Sequence, residues 1–343
     1  MPGGQLTDIF GQDNAIGWLA QSYLADRLPH ALIFAGPVGV GKATTTRALG
    51  RLFLCDHPTN DKSCGMCDSC RVMDAGNHPD FHVITKELIR YHDKTGKSKG
   101  ISLSINVIRP ELIDPAGRKA VMGRGKVFVI EQAELMNPQA QNALLKTLEE
   151  PAGRTLIILL TDQPSALLAT IRSRCQTVQF GALDETRVRE ELIARAIDPA
   201  VAADAAALSR GSLGVAMKWI EDDVIVPARQ LIGMIDQLFA GRRPDDLPGW
   251  FKAAADAYAA KQLERDELSS KDQATREGLT LYLLLAGEHI RRRMADGSPD
   301  DDLESACSAI DALAQAETFL DSNVNVSLIF QQLAMKLERI NGG

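Results

Sequence analysis

The run Gly36-Pro37-Val38-Gly39-Val40-Gly41-Lys42-Ala43 constrains this chain more than any other stretch. It follows the strand-like run Ala31-Leu32-Ile33-Phe34-Ala35 and precedes a helix-like segment, 43–54, in which Leu49, Leu52 and Phe53 are apolar. Strand, glycine loop and helix are the context a phosphate-binding loop requires. In such a loop the glycines let backbone N–H groups close around phosphates, a lysine reaches the outer phosphates, and a hydroxyl ligates Mg²⁺. Gly36, Gly39, Gly41 and Lys42 supply the cradle and the cation, but Ala43 stands where the hydroxyl belongs. A methyl group offers no oxygen to a metal that demands an octahedron of them. Thr44 follows and can keep a contact near an α-phosphate. The loop is therefore expected to hold ADP, or ATP weakly, without hydrolysing it.

Two further strands are predicted at 126–130 and 155–160, ending at Glu131-Gln132 and Thr161-Asp162. Between them 137–150 carries Ala143, Leu144, Leu145 and Leu148 at helical spacing, and Pro151 stops that helix. Short apolar strands separated by helices predict an α/β unit with a parallel sheet covered on both faces. From about Asp184 the strand-like runs vanish and Ala, Leu, Glu and Arg recur at helical spacing, with long helices expected over 279–293 and 326–340. The chain's 343 residues allow two or three domains. No apolar run approaches the ~18 residues of a membrane span, and no basic segment followed by an apolar one opens the chain, so a cytoplasmic protein is expected. A net charge of −7 argues against a broad DNA-binding face. Lys94, Lys97 and Lys99 read as solvated loop charges, and Arg291-Arg292-Arg293 as cations near a helix end.

Four of the six cysteines cluster: Cys55, Cys64, Cys67 and Cys70. In a reducing compartment that density points to metal rather than disulfides. Four thiolates suit a closed structural Zn²⁺ site; an iron–sulfur cluster and free thiols are the alternatives. Cys175 and Cys307 read as packing residues, and His30, His78 and His82 as structural, because no nucleophile with a supporting acid accompanies them.

A hydrolytic phosphate loop also needs a strand-end acid for Mg²⁺ and a second group to orient the attacking water. Glu131 is one methylene longer than the usual Asp, and Gln132 carries no charge. Together with Ala43, three positions that serve one chemical step are altered. Arg174, in Ala169-Thr170-Ile171-Arg172-Ser173-Arg174-Cys175, sits where an arginine can project towards a neighbouring subunit's nucleotide.

The order of motifs resembles the bacterial clamp-loader AAA+ proteins. It runs from Ile9-Phe10-Gly11-Gln12 through Leu28-Pro29-His30-Ala31, the phosphate loop and the four-cysteine knuckle to Asn77-His78-Pro79-Asp80. It closes with Asn142-Ala143-Leu144-Leu145-Lys146-Thr147-Leu148-Glu149-Glu150-Pro151 and Arg172-Ser173-Arg174-Cys175. The likeness covers roughly residues 5–182; beyond them, only length, character and Asn323-Val324-Asn325 agree. His-Pro-Asp and the altered ATPase motifs favour a non-hydrolysing branch over the active gamma/tau sibling. The resemblance implies an AAA+ unit over 1–182 with a zinc knuckle at 55–70, a helical lid over 183–222 and an all-α collar for oligomerisation over 223–343. It implies a five-membered ring with gamma/tau and delta subunits of DNA polymerase III, which loads a sliding clamp onto primed DNA. Within it this chain would be a stator whose Arg174 acts in trans on a neighbour's ATP. The lid of active relatives carries Gly-Ser-x-Arg, whereas Gly214 occupies the arginine's slot here. Two other readings stand: an active ATPase of the gamma/tau type, and a nucleic-acid-binding module built on the knuckle.

Overall fold

The computed structural model describes residues 4–92, 102–265, 270–296, 303–321 and 326–340. Lys94, Lys97, Lys99 and Asn323-Val324-Asn325 lie outside the described residues. The described chain divides into two compact units, one of residues up to Asp184 plus Gly211–Gly214, the other of Glu185–Arg210 with the chain from Val215 onward.

The first unit begins with helix α1 (Asp13–Leu24), strand β1 (Ala31–Ala35), helix α2 (Lys42–Leu54) and the short helix α3 (Asp68–Asp74). Strand β2 (Phe81–Ile84) comes next, then a series of short helical turns, β3 (Lys126–Ile130), helix α4 (Pro138–Glu149), β4 (Thr155–Thr161) and β5 (Gln176–Gln179). The strands form one sheet in the order β2-β3-β4-β1-β5, with parallel pairing throughout.

Alternation along the strands divides the core into two layers, because successive side chains of a strand point to opposite faces. Ile33, Phe128, Ile130, Ile157 and Leu159 pack with Ala140, Leu144 and Leu148 of α4 on one face. Leu32, Phe34, Val127, Val129, Leu156 and Ile158 pack on the other with Ala15 and Leu19 of α1 and Ala48, Leu49 and Leu52 of α2. Central strands covered on both sides are apolar at nearly every position, which is why the sequence announces β1, β3 and β4. The edge strands carry no such run. Gln176-Thr177-Val178-Gln179 buries Val178 alone, and β2 buries only Ile84. Periodicity therefore predicts three strands where the sheet has five.

Local chemistry sets the helix ends. Gly41 caps α2 with a φ of 104°, a conformation glycine adopts without steric cost. Asn137 caps α4 by accepting from the Ala140 N–H at 2.9 Å, and Pro138 occupies the first helical position. Gly50 lets α2 approach the sheet: a Cβ there would lie 2.4 Å from the Phe81 ring.

The second unit is helical: α5 (Glu185–Ala194), α6 (Pro199–Leu208), α7 (Leu213–Glu221), α8 (Ile225–Phe239), α9 (Leu247–Arg265), α10 (Lys271–Asp296), α11 (Leu303–Asp321) and α12 (Val326–Ile340). Helix α7 starts within the stretch that belongs to the first unit. Leu231, Ile235, Phe251, Tyr282, Ile290, Leu313 and Phe330 are among the second unit's buried apolar residues. Arg291, Arg292 and Arg293 lie in the last turns of α10 and are committed to carboxylates. Arg291 reaches Glu288 at 3.7 Å, Arg292 reaches Glu185 and Glu288 at 3.8 Å, and Arg293 reaches Asp236 at 2.7 Å. No helix among the described residues is long and apolar enough to cross a membrane.

Leu144 is fully buried between α4 and the sheet. Leu144→Ala is expected to cost about 2–5 kcal/mol, the transfer term plus the cavity left behind. Urea unfolding followed by circular dichroism measures it; an unchanged midpoint would contradict the packing described.

Candidate functional site

Parallel pairing collects the ends of β1, β3 and β4 at one edge of the sheet. Ala35 pairs with Thr161, and the Gly36 N–H donates to the Thr161 carbonyl at 3.1 Å, so the glycine loop leaves beside Asp162. Lys42 is 8% exposed, and its ammonium donates to the Pro37 carbonyl at 2.7 Å and to that of Gly36. Burial lowers its pKa, against the opposing pull of Asp162 and Glu134. Ala43 and Thr44 are exposed in the first turn of α2. The next hydroxyls do not replace the one missing at Ala43: Thr45 Oγ1 donates to the Gly41 carbonyl and Thr46 Oγ1 to that of Lys42, each at 2.9 Å. Glu131 is partly buried at the end of β3; burial and the neighbouring Glu87 raise its pKa, and Arg47 opposes them. Gln132 adopts a left-handed backbone, φ 51°, as the chain turns from β3.

One element at this edge is not foreseen from composition. The Gly214 N–H donates to the Gly39 carbonyl at 2.9 Å, and a Cβ on Gly214 would lie 2.6 Å from that oxygen. The backbone at Gly214 thus lies directly on the glycine loop, with no room for a side chain in this arrangement. Arg210, the nearby arginine, pairs with Glu288.

Cys55 ends α2, and Cys67 caps α3. The four sulfurs of Cys55, Cys64, Cys67 and Cys70 all lie within 4.8 Å of one another, with Cys55 and Cys67 Sγ at 3.9 Å. Tetrahedral Zn–S bonds of about 2.3 Å require sulfurs about 3.8 Å apart, so the set fits such an ion. The Cys64 N–H donates to Cys55 Sγ at 3.3 Å, and those of Cys67 and Cys70 to the sulfurs of Cys64 and Cys67 at 3.4 Å. Amides aimed at sulfur favour thiolate: those of Met66 and Cys67 push the Cys64 thiol down to about 6. Burial pushes the thiols of Cys55 and Cys70 upward. The cluster can hold a metal ion such as zinc, with no position left open.

Two polar braces fasten this knuckle. Buried Arg51, one turn before Cys55, donates to Ser63 Oγ at 2.7 Å and to Asp74 at 2.8 Å. Ser69, between two of the cysteines, donates to the Leu54 carbonyl at 2.7 Å and meets His78 Nε2 at 3.1 Å. His78 Nδ1 accepts the Asp80 N–H at 3.1 Å, and the Asp80 carboxylate accepts the N–H groups of Val121 and Met122 at 2.7 and 2.8 Å. Asn77-His78-Pro79-Asp80 is therefore a clamp between knuckle and sheet. His30 meets the Leu148 carbonyl at 2.8 Å, and His82 stacks on Phe128, so both are structural as expected.

Arg174 lies at the opposite edge of the sheet. It precedes β5, whose first residue pairs with Leu32, whereas the cradle follows the last residue of β1. At ~3.3 Å per strand residue the two are separated by more than about 13 Å. Arg174 Nε donates to Glu149 at 2.5 Å and Nη1 to the Thr170 carbonyl at 3.0 Å. The segment is held from behind by buried Gln141, which accepts from the Leu168 N–H at 2.8 Å. Cys175 is buried, and burial pushes its thiol up to about 12. Cys307 is exposed, so the expectation that it packs in the core is corrected: it sits on the outer face of α11.

A family model described as "DNA polymerase III, delta subunit" matches residues 11–184. The chain belongs to that family. DNA polymerase III subunit delta' of Yersinia pestis is 44% identical over 146 residues, 43% of this chain and 40% of the relative. The delta' subunit of Bacillus subtilis is 26% identical over 338 residues, 95% of this chain and 96% of the relative. The tau/gamma subunit of Haemophilus influenzae is 35% identical over 185 residues, 54% of this chain and 25% of the relative. The first two place the chain on the delta-prime branch of the clamp-loader proteins, although the Yersinia match spans less than half of that relative's length. The parallel sheet flanked by helices, followed by a helical unit, is the arrangement that the sequence predicts. The family match ends where the first compact unit ends.

One tightly held Zn²⁺ per chain is the expected result of elemental analysis on reduced, freshly purified protein. Cys67→Ser should accelerate its release to a chelator while the sheet's unfolding stays close to that of the parent. Protein without metal would contradict the site.

Proposed function

We propose that this chain is the non-motor subunit of a replication clamp loader. It joins gamma/tau and delta subunits in a five-membered ring that uses ATP to load a sliding clamp onto primed DNA. The observation that carries this reading is the opposition of two sheet edges. One edge has a phosphate cradle stripped of its hydrolytic groups, and the other has an arginine too far away to serve it.

At the cradle edge, Ala43 cannot ligate Mg²⁺, Gln132 cannot act as a base, and Gly214 brings no cation. Lys42 is bound to the loop's own carbonyls. Gly36, Gly39, Gly41, Lys42 and Thr44 would hold ADP or ATP weakly at most, with no turnover. At the other edge, Arg174 stands on a half-exposed, well-braced turn. Across a subunit boundary its guanidinium would meet a γ-phosphate whose charge grows in the transition state. The chain thus contributes to a neighbour's hydrolysis and remains rigid itself.

We assign 1–182 to the AAA+ unit, 183–222 to a lid and 223–343 to a collar that carries most of the ring contact. The Cys55, Cys64, Cys67 and Cys70 site holds structural zinc. The protein works in the cytoplasm as part of the DNA polymerase III holoenzyme. A net charge of −7 weighs against a stand-alone DNA-binding module, and the altered cradle against a motor.

The isolated chain is expected to show no multiple-turnover ATP hydrolysis. Turnover that disappears in Lys42→Ala would refute the non-motor reading. Arg174→Ala should fold, assemble, and lower DNA-stimulated hydrolysis at one site of the complex by about tenfold or more, a barrier increase of at least ~1.4 kcal/mol. Unchanged hydrolysis and clamp loading in a fully assembled complex would reduce Arg174 to a surface ion pair.

A further inference from the structure

The guanidinium of Arg174 is held in a particular way. Nε and Nη2 converge on one oxygen of Glu149, with Nε at 2.5 Å. Nη1 donates to the Thr170 carbonyl at 3.0 Å and lies 3.5 Å from Ser173 Oγ. A guanidinium has five N–H donors in a rigid plane. The side edge is therefore bound, while among the described residues one N–H on Nη2 is uncommitted and Nη1 has only a weak second contact. Arg174 and Glu149 side chains are 34% and 46% exposed, so the pair sits at the surface without being buried by its own chain.

Glu149 comes from the last turn of α4, a helix whose opposite face carries Leu144 and Leu148 into the sheet. Pro151 prevents that turn from running on. The carboxylate is thus mounted on the core, whereas Arg174 is mounted on a short turn after Ala169–Arg172. A free arginine on such a turn samples many rotamers, and only some point its fork outward. A fixed carboxylate that binds the side edge selects among them before any partner arrives.

We infer that Glu149 is a positioning residue for Arg174: it grips the side edge of the guanidinium and leaves the outer N–H groups presented to an anionic oxygen of a neighbouring subunit's nucleotide. The inference rests on the in-trans role of Arg174 proposed above. It concerns orientation rather than affinity, so its loss should act on kcat and leave KM for ATP unchanged.

The experiment is a double-mutant cycle in the fully reconstituted complex, with DNA-stimulated ATP hydrolysis as the readout. Arg174→Ala, Glu149→Gln and the double variant are compared with the parent. The metal content and thermal unfolding of each isolated chain serve as folding controls. Glu149→Gln keeps length and shape but removes the charge. It is expected to lower kcat at the affected site by about two- to fivefold, the range set by an exposed ion pair. On top of Arg174→Ala it is expected to do nothing further. If Arg174→Ala is itself silent, the finger reading fails and this inference with it. If Arg174→Ala is slow but Glu149→Gln matches the parent, or exceeds it, or slows the double variant further, the finger stands and Glu149 does not position it.

Discussion

The pairing of β1 with β4 on one side and β5 on the other fixes most of what this chain can do. Ala35 is bound by both neighbours: it pairs with Thr161 and Gln179, and its carbonyl accepts the Phe180 N–H at 2.7 Å. Because all pairings are parallel, every strand's C-terminal end faces one way. The cradle, Glu131 and Asp162 are consequences of that direction. So is the placement of Arg174 at the far edge, since it enters β5 rather than leaves it. No local propensity of Arg174 decides this. A parallel sheet sends residues that enter its strands to one edge and residues that leave them to the other, so one such unit keeps the two sets apart.

Helix α2 connects the cradle to the knuckle. Its 13 residues run from Lys42 to Leu54, about 20 Å at 1.5 Å per residue, and Cys55 follows at once. The knuckle has little apolar surface of its own; of its neighbours only Cys70, Met73 and Cys55 are buried apolar groups between residues 55 and 80. Such a segment gains little for its ordering entropy from burial alone, and a metal ion held by the four cysteines would supply the deficit. The braces from Arg51 and His78 then tie the ordered knuckle to both ends of its surroundings. His78 is half of a clamp whose other half, Asp80, caps a turn at Val121 and Met122. Burial lowers the His78 pKa, consistent with a neutral ring donating from Nε2 to Ser69.

The central strands, the cradle and the cysteine set are legible in the sequence because each is written locally. A run of apolar residues, a glycine spacing and a thiol spacing each lie within one short window. The edge strands are not, since their burial depends on one neighbour rather than two. Glu149 and Gly214 illustrate a second limit. Glu149 is visible within Leu148-Glu149-Glu150-Pro151, yet nothing near it points to Arg174, 25 residues later. Gly214 reads in the sequence as the residue in an arginine's slot; its close approach to Gly39 is a property of tertiary packing. Long-range pairs of this kind leave no periodicity behind. Arg51 shows the same effect, because an arginine in the last turn of an amphipathic helix ordinarily reaches solvent, whereas here it is 6% exposed.

The glycine pattern itself has two physical explanations, and both apply to the same loop. A phosphate cradle needs glycines so that amides can approach an anion. In this chain Gly36 is also required by packing, and Gly39 and Gly41 by left-handed backbone, with φ of 75° and 104°. A Cβ at Gly36 would stand 2.1 Å from the Phe180 carbonyl, with φ at 155°, and the Gly39 carbonyl is in contact with Gly214. Lys42, too, has a structural task, since its ammonium closes the loop by binding the carbonyls of Gly36 and Pro37. The motif therefore has an architectural role of its own, independent of any phosphate it holds. A loop of this kind can be read from sequence as a fold marker with little ambiguity. Enzymatic use of such a loop depends on residues at the metal- and water-binding positions, where this sequence has Ala43, Glu131 and Gln132.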